Sequence, residues 1–211
     1  MVKKVRPHKI FQKVENSERM YLNLLPGNNW VMTILEISIL VSLLKIIKPQ
    51  KVFEFGTYRG ETTQILAANM PVDSRLITLD LATTKGVSLK EKDKRLAEEA
   101  ISSDKAFKGK EYEKRITQIL CDSAYFDPSP YAGQFQYIFI DGNHKADYVK
   151  IDTENSLKML DLNNPSCMIW HDYGNPYHDD LTQYIDELSN NMPLYHVEET
   201  LIVVYLKGLK L

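Results

Sequence analysis

The chain has 211 residues, 44% of them apolar, 10% aromatic and 26% charged, enough for a large buried core without disulfide or metal staples. Nine glycines and nine prolines exclude collagen-like and low-complexity classes. Twenty-six basic against 28 acidic side chains, a net charge of −2, leave no basic footprint for nucleic acid.

Cys121 and Cys167 lie in apolar runs without metal-ligand spacing, so they read as small hydrophobes in a reducing compartment. Residues 1–30 are polar and aromatic, with a turn at Pro26-Gly27-Asn28-Asn29, and form an N-terminal extension to a domain spanning 31–211. The basic Met1–His8 start is followed by no apolar run of the secretory kind. The longest apolar stretch, Val31–Ile47, is broken by Glu36 and Lys45, whereas a membrane span wants about 20 uncharged residues. The expectation is a cytoplasmic protein with no membrane partner.

Val31–Lys48 carries a polar stripe at Glu36, Ser38, Ser42 and Lys45 and predicts a mostly buried helix. Strands and helices then alternate. Lys51–Phe55, Arg75–Asp80, Arg115–Cys121, Phe135–Asp141 and Ser166–Trp170 read as strands. Glu61–Met70, Lys90–Ser103 and Lys145–Leu160 read as helices, and Leu181, Tyr184, Ile185 and Leu188 mark one more helical face. Short β-branched runs followed by helices are the mark of a parallel sheet covered on both sides. Leu194–Glu198 and Leu201–Leu206 are too close for a parallel crossover, so they form an antiparallel hairpin. Between Lys90 and Arg115 stand nine basic and seven acidic side chains, read as a solvated helix and loop, with a lid over a pocket as the sharper alternative.

The first strand runs into Glu54-Phe55-Gly56-Thr57-Tyr58-Arg59-Gly60-Glu61, where two glycines let the backbone turn sharply and approach a ligand. No Gly-Lys-[Ser/Thr] follows, and Tyr58 and Glu61 replace the glycines of a dinucleotide fingerprint, which disfavours phosphate. Glu54 would repel a pyrophosphate but attract an ammonium or sulfonium group. Asp80, Asp122-Ser123 and Asp141-Gly142 end the next three strands, where open α/β sheets bind ligands.

In order and spacing, Phe53-Glu-Phe-Gly-Thr-Tyr-Arg-Gly, Leu79-Asp80, Ile119-Leu-Cys-Asp-Ser and Phe139-Ile-Asp-Gly-Asn-His resemble the class I S-adenosylmethionine-dependent methyltransferases. With Trp170-His-Asp-Tyr, they resemble small-molecule O-methyltransferases related to macrolide-sugar methyltransferases and cephalosporin-hydroxylase-like proteins. The resemblance implies a Rossmann-like doubly wound, seven-stranded α/β sheet, mostly parallel, closed by the antiparallel hairpin. It implies S-adenosylmethionine held by Glu54, Gly56, Thr57 and Gly60 at the methionine end, Asp80 at the ribose, and Asp122 and Ser123 at the adenine, with Asp141 alongside. It also implies a small-molecule acceptor and a homo-oligomer.

Methyl transfer from a sulfonium needs alignment and an acceptor made nucleophilic by a base or a metal. Asp141, His171 and Asp172 could hold a divalent ion, Mg²⁺-like or Mn²⁺-like, while His144 or His171 is the base of a metal-free alternative. His178-Asp179-Asp180 reads as helix capping and His196 as a structural strand residue. Two further readings stay open: a non-catalytic cofactor-binding protein on the same fold, and a nucleotide-cofactor oxidoreductase.

Overall fold

The computed structural model describes residues 1–22 and 32–210. The turn expected at 26–29 and the boundary placed at residue 30 lie outside the described residues. Strand β1 is Lys3–Val5 and helix α1 is Pro7–Phe11. Next come α2 (Ile34–Ile47), β2 (Lys51–Phe55), α3 (Glu61–Asn69), β3 (Arg75–Asp80) and α4 (Glu91–Ser102). They are followed by β4 (Ile116–Leu120), β5 (Tyr137–Ile140), α5 (Ala146–Met159) and β6 (Ser166–Trp170). Helix α6 (Asp179–Leu188) precedes β7 (Leu194–Val197) and β8 (Val203–Lys207).

The strands form one sheet in the order β1-β7-β8-β6-β5-β2-β3-β4. Among the described residues it has eight strands rather than the expected seven, because Lys3–Val5 adds a parallel edge strand to β7. The doubly wound architecture is otherwise as expected: β4, β3, β2, β5 and β6 are parallel, and β8 runs antiparallel between β6 and β7. The chain winds outward from β2 through β3 to β4, then returns to β5 on the other side of β2. That reversal opens a crevice beyond the carboxyl ends of β2 and β5.

Alternation within β5 shows how both faces are filled. Tyr137 and Phe139 join the core that packs under α2 and α3, with Leu40, Leu43, Leu44 and Leu66. Ile138 and Ile140 join the opposite core with Val149, Met168, Trp170, Leu181 and Ile185. Every residue of β5 and β6 is buried, which is why those runs are apolar apart from Ser166. Two polar tips that enter these cores are paired: the Tyr137 hydroxyl donates to the Leu40 carbonyl at 3.0 Å, and Trp170 Nε1 donates to Thr153 at 2.9 Å.

Helix α2 begins with a reciprocal cap, in which Glu36 N donates to Thr33 Oγ1 and Thr33 N donates to Glu36 Oε2. It ends at Lys48, whose left-handed backbone (φ 49°) precedes Pro49. The expected polar stripe is only partly wet, since Glu36 and Ser42 are buried. No described helix is long and apolar enough to cross a membrane.

Candidate active site

A cavity of about 760 Å³ opens over the carboxyl ends of β2–β6. Its size falls in the upper part of the usual range for ligand sites. Gly56, Asp80, Asp122, Ser123, Asp141, His144, His171 and Asp172, all anticipated from sequence, line it. Three anticipated residues stand behind its wall instead.

Glu54 is fully buried, with Oε2 accepting from Thr63 at 2.5 Å and from Thr78 at 2.7 Å. Burial pushes its carboxyl up to about 8 against those two hydroxyl donors, so it supports the loop rather than meeting a ligand directly. Thr57 is also buried and shares a hydrogen bond with Thr78 at 2.6 Å. Gly60 has φ 80°, and a Cβ there would lie 2.9 Å from Phe107, so its missing side chain makes room for protein. Gly56 is different. At φ 92°, its absent Cβ would sit 2.0 Å from the Asp141 carbonyl, so only glycine lets the tips of β2 and β5 close up beside the cavity.

Asp80 is pre-set by two backbone donors, Tyr58 N and Leu81 N, each at 2.8 Å. Burial raises its carboxyl, partly offset by these N–H groups and by Lys105. The same residue thus braces the loop after β2 and presents its remaining lone pairs to the cavity.

The tips of β5 and β6 bring the second group together. His171 Nδ1 lies 3.3 Å from Asp141 Oδ1 and 3.2 Å from Asp172 Oδ2. His144 Nε2 lies 3.1 Å from Asp172 Oδ2 and 3.9 Å from Asp141 Oδ1. Asp172 adopts a left-handed backbone (φ 64°), held by a 2.5 Å hydrogen bond from Asn175 Nδ2. An outlier of that kind at a ligand-facing carboxylate is strain kept for placement.

Three residues that sequence reasoning had given other roles complete this cluster. Glu36 is 3% exposed and reaches His171 Nε2 at 3.4 Å, while its Oε1 accepts from Leu201 N at 2.9 Å. Asp93, expected on a solvated helix, is 8% exposed and reaches His144 Nδ1 at 3.2 Å. His178 caps nothing with its side chain; its ring packs against His144 at 4.5 Å. Asp179 and Asp180 stand in the first turn of α6 as expected, and Asp180 also accepts from Ala146 N and pairs with Lys90, tying α5 and the start of α4 to that helix. His196 keeps its structural role, bonded to the Thr200 carbonyl at 2.8 Å.

Four carboxylates outnumber two raised imidazoles in the cluster, and each kind holds the other charged. Burial alone would raise Glu36 and Asp141, yet His171 holds both near 2, and His144 adds to this at Asp141. Burial likewise works against Asp172, but the two imidazoles hold it far below the carboxylate range. Burial would lower His144 and His171, but the surrounding carboxylates keep both well above the ordinary histidine value. His178 is lowered, first by burial and then by the charge of His144.

The donor set can hold a divalent cation once the incoming ion displaces the proton that the carboxylates keep on His171. Asp141, His171 and Asp172 offer two carboxylate oxygens and one imidazole nitrogen within 4.8 Å of one another. Ligands about 2.1 Å from one ion at right angles are themselves about 3 Å apart, close to the spacings found here.

The family model for a methyltransferase domain matches residues 53–173, more than half of the chain. Fold, strand-end residues and this match define an S-adenosylmethionine-dependent methyltransferase of class I. The chain belongs to that methyltransferase-domain family. No curated protein matches its sequence.

Among solved structures it is similar to the methyltransferase PaMTH1 of Podospora anserina bound to S-adenosylhomocysteine (SAH), with 18% identity and TM-score 0.57. That likeness covers 88% of this chain and 83% of the other. It is similar to the O-methyltransferase TomG of Streptomyces achromogenes, involved in tomaymycin synthesis, with 15% identity, TM-score 0.58 and coverage of 96% and 86%. It is also similar to an O-methyltransferase of Bacillus cereus in complex with SAH, with 18% identity, TM-score 0.55 and coverage of 85% and 84%. At these identities the likeness is one of fold.

Proposed function

We propose that the chain transfers the methyl group of S-adenosylmethionine to a hydroxyl oxygen of a small acceptor, with a divalent cation held by Asp141, His171 and Asp172. The observation that carries this is the convergence of those three side chains beside the Gly56 turn, with His171 Nδ1 3.3 Å from Asp141 and 3.2 Å from Asp172. Such a cation lowers the pKa of a bound hydroxyl.

The chain's own groups do the rest. Gly56 lets the β2 loop and Asp141 meet at one wall, and Asp80 offers acceptors that suit ribose hydroxyls. Asp172 is fixed by Asn175, and His171 is fixed between Glu36 and Asp141, so both are pre-aimed. His144 stands beside them with Nε2 toward the same carboxylates, and it can take the acceptor's proton once a bound cation draws those carboxylates away and its own proton leaves. Val87, Leu89, Leu96 and Ala97 line an apolar wall that excludes water from the acceptor.

Calorimetry with SAH tests the first half: no binding below about 1 mM, a free energy near −4 kcal/mol, overturns it. Manganese titration followed by electron paramagnetic resonance tests the second. Asp172→Ala is expected to weaken Mn²⁺ at least about tenfold while SAH affinity stays within about threefold. Equal Mn²⁺ affinity in both proteins rejects the cation site.

A further inference from the structure

His171, just past the tip of β6, meets carboxylates on both edges of its ring. Its Nδ1 edge faces Asp141 at 3.3 Å and Asp172 at 3.2 Å, the carboxylates of the cation site. Its Nε2 edge points the other way, to Glu36 Oε1 at 3.4 Å. These partners fix how the ring is turned, since a flip about Cβ–Cγ would present carbon to all three carboxylates.

Glu36 comes from α2 and is 3% exposed. Its Oε2 accepts from Thr33 N at 2.8 Å and from Thr33 Oγ1 at 2.9 Å, and its Oε1 accepts from Leu201 N at 2.9 Å. Those donors come from two distant parts of the chain and hold the carboxylate still, with lone-pair capacity left on Oε1. His171 Nε2 is buried and makes no aligned hydrogen bond among the described residues. The 3.4 Å gap to Glu36 has room to shorten into a charge-assisted bond once an ion sits on the opposite edge.

We propose that Glu36 is the positioning residue of the cation site: it holds the Nε2–H edge of His171 so that Nδ1 meets the ion, and thereby makes the site select a first-row transition ion over Mg²⁺. The inference rests on the cation reading above. The hydrogen bond made by one ring nitrogen decides which nitrogen can take a metal. A carboxylate at Nε2 keeps the hydrogen there, bares Nδ1 toward Asp141 and Asp172, and strengthens the ring as a ligand. Imidazole nitrogen suits the later first-row ions, whereas Mg²⁺ keeps to oxygen. A stronger imidazole therefore widens the gap between the two classes.

The test follows Mn²⁺ on the full chain by electron paramagnetic resonance, with Mg²⁺ and Co²⁺ as competitors and SAH affinity as the control for an intact cavity. In the unaltered protein, Co²⁺ is expected to release Mn²⁺ at a concentration at least about thirtyfold below that needed of Mg²⁺. Glu36→Gln, a residue that the third position of the cap accepts, should weaken Mn²⁺ at least about tenfold. It should also narrow the Co²⁺-to-Mg²⁺ ratio at least about fivefold, with SAH held within about threefold. Should Glu36→Gln fail to fold, Thr33→Val, which removes one donor from Glu36 Oε2, is expected to move both metal readings the same way by about threefold. If the unaltered protein holds no Mn²⁺, the cation reading falls and takes this inference with it. If it holds Mn²⁺ but the variants only lower the melting temperature and leave the ratio in place, Glu36 merely caps α2 and this inference alone is overturned. Equal displacement by Co²⁺ and Mg²⁺ in the unaltered protein overturns it as well.

Discussion

Glu54 ends β2 with its carboxyl enclosed by protein, and burial lifts it to about 8 despite the Thr63 and Thr78 hydroxyls. The native state therefore grips that proton harder than the unfolded chain, where a glutamate titrates near its ordinary value. Its contribution to stability is fully present below about 4.5 and is lost as pH rises through about 8. Asp152, lifted to about 7, acts in the same sense over a narrower window. Glu54→Gln is therefore expected to flatten the fall of melting temperature between pH 5 and 8. One such group contributes a slope of up to about 1.4 kcal/mol per pH unit. Melting curves across that range check it, and a variant that tracks the unaltered protein in parallel rejects the assignment.

Helix α4 and its flanks form a strap along one wall of the cavity, tied at both ends. At one end, Lys105 Nζ donates to the Tyr58 carbonyl at 2.5 Å and to the Ala100 carbonyl at 2.7 Å, while Ala106 N donates to the Arg59 carbonyl. Arg59 also pairs with Glu99. At the other end, Asn143 and Lys145 bond Ser88, and Lys90 pairs with Asp180. Lys105→Met keeps the aliphatic stem and removes two charge-assisted bonds, each worth about 1.5–3 kcal/mol. Amide exchange across residues 91–108 should accelerate by at least about tenfold, with β2 and β5 unchanged. Unaltered exchange in the strap would show that its seat does not depend on Lys105.

The strap also shows where reading the sequence stops. Its helix was legible from charge and periodicity, as were the central strands, because buried parallel strands leave continuous apolar runs. The strand-end residues Gly56, Asp80, Asp122, Asp141 and Asp172 were legible because turn and carboxylate stand at fixed places after each strand. Asp93 was hidden: one of seven acids interleaved with nine basic side chains carries no sign that it alone is enclosed. Glu36 was hidden for a second reason. Thr33 and Glu36 carry the spacing of a capping box, which accounts for one carboxylate oxygen, while the other meets His171 and Leu201 from distant parts of the chain. Lys3–Val5 was missed because three residues at a sheet edge have no period to detect.

The cavity draws its wall from nearly every layer: α2 through Glu36, the tips of β2 to β6, the strap, and the β7–β8 connection through Thr200 and Leu201. The Glu36 cap ties the last of these to the first, since its Oε1 accepts from Leu201 N across the cluster. A ligand that fills this space touches both faces of the sheet at once, so its binding energy is drawn on when any one of those layers opens. SAH at a hundred times its dissociation constant should then stabilise the fold by about 2.7 kcal/mol. For a domain of this length that corresponds to a rise in melting temperature of about 5 to 10 °C, in a single transition. Scanning calorimetry with and without the ligand checks both statements. A melt that splits, with only one step moved by ligand, would mean that the strap senses the cavity apart from the sheet, and the coupling described here would fail.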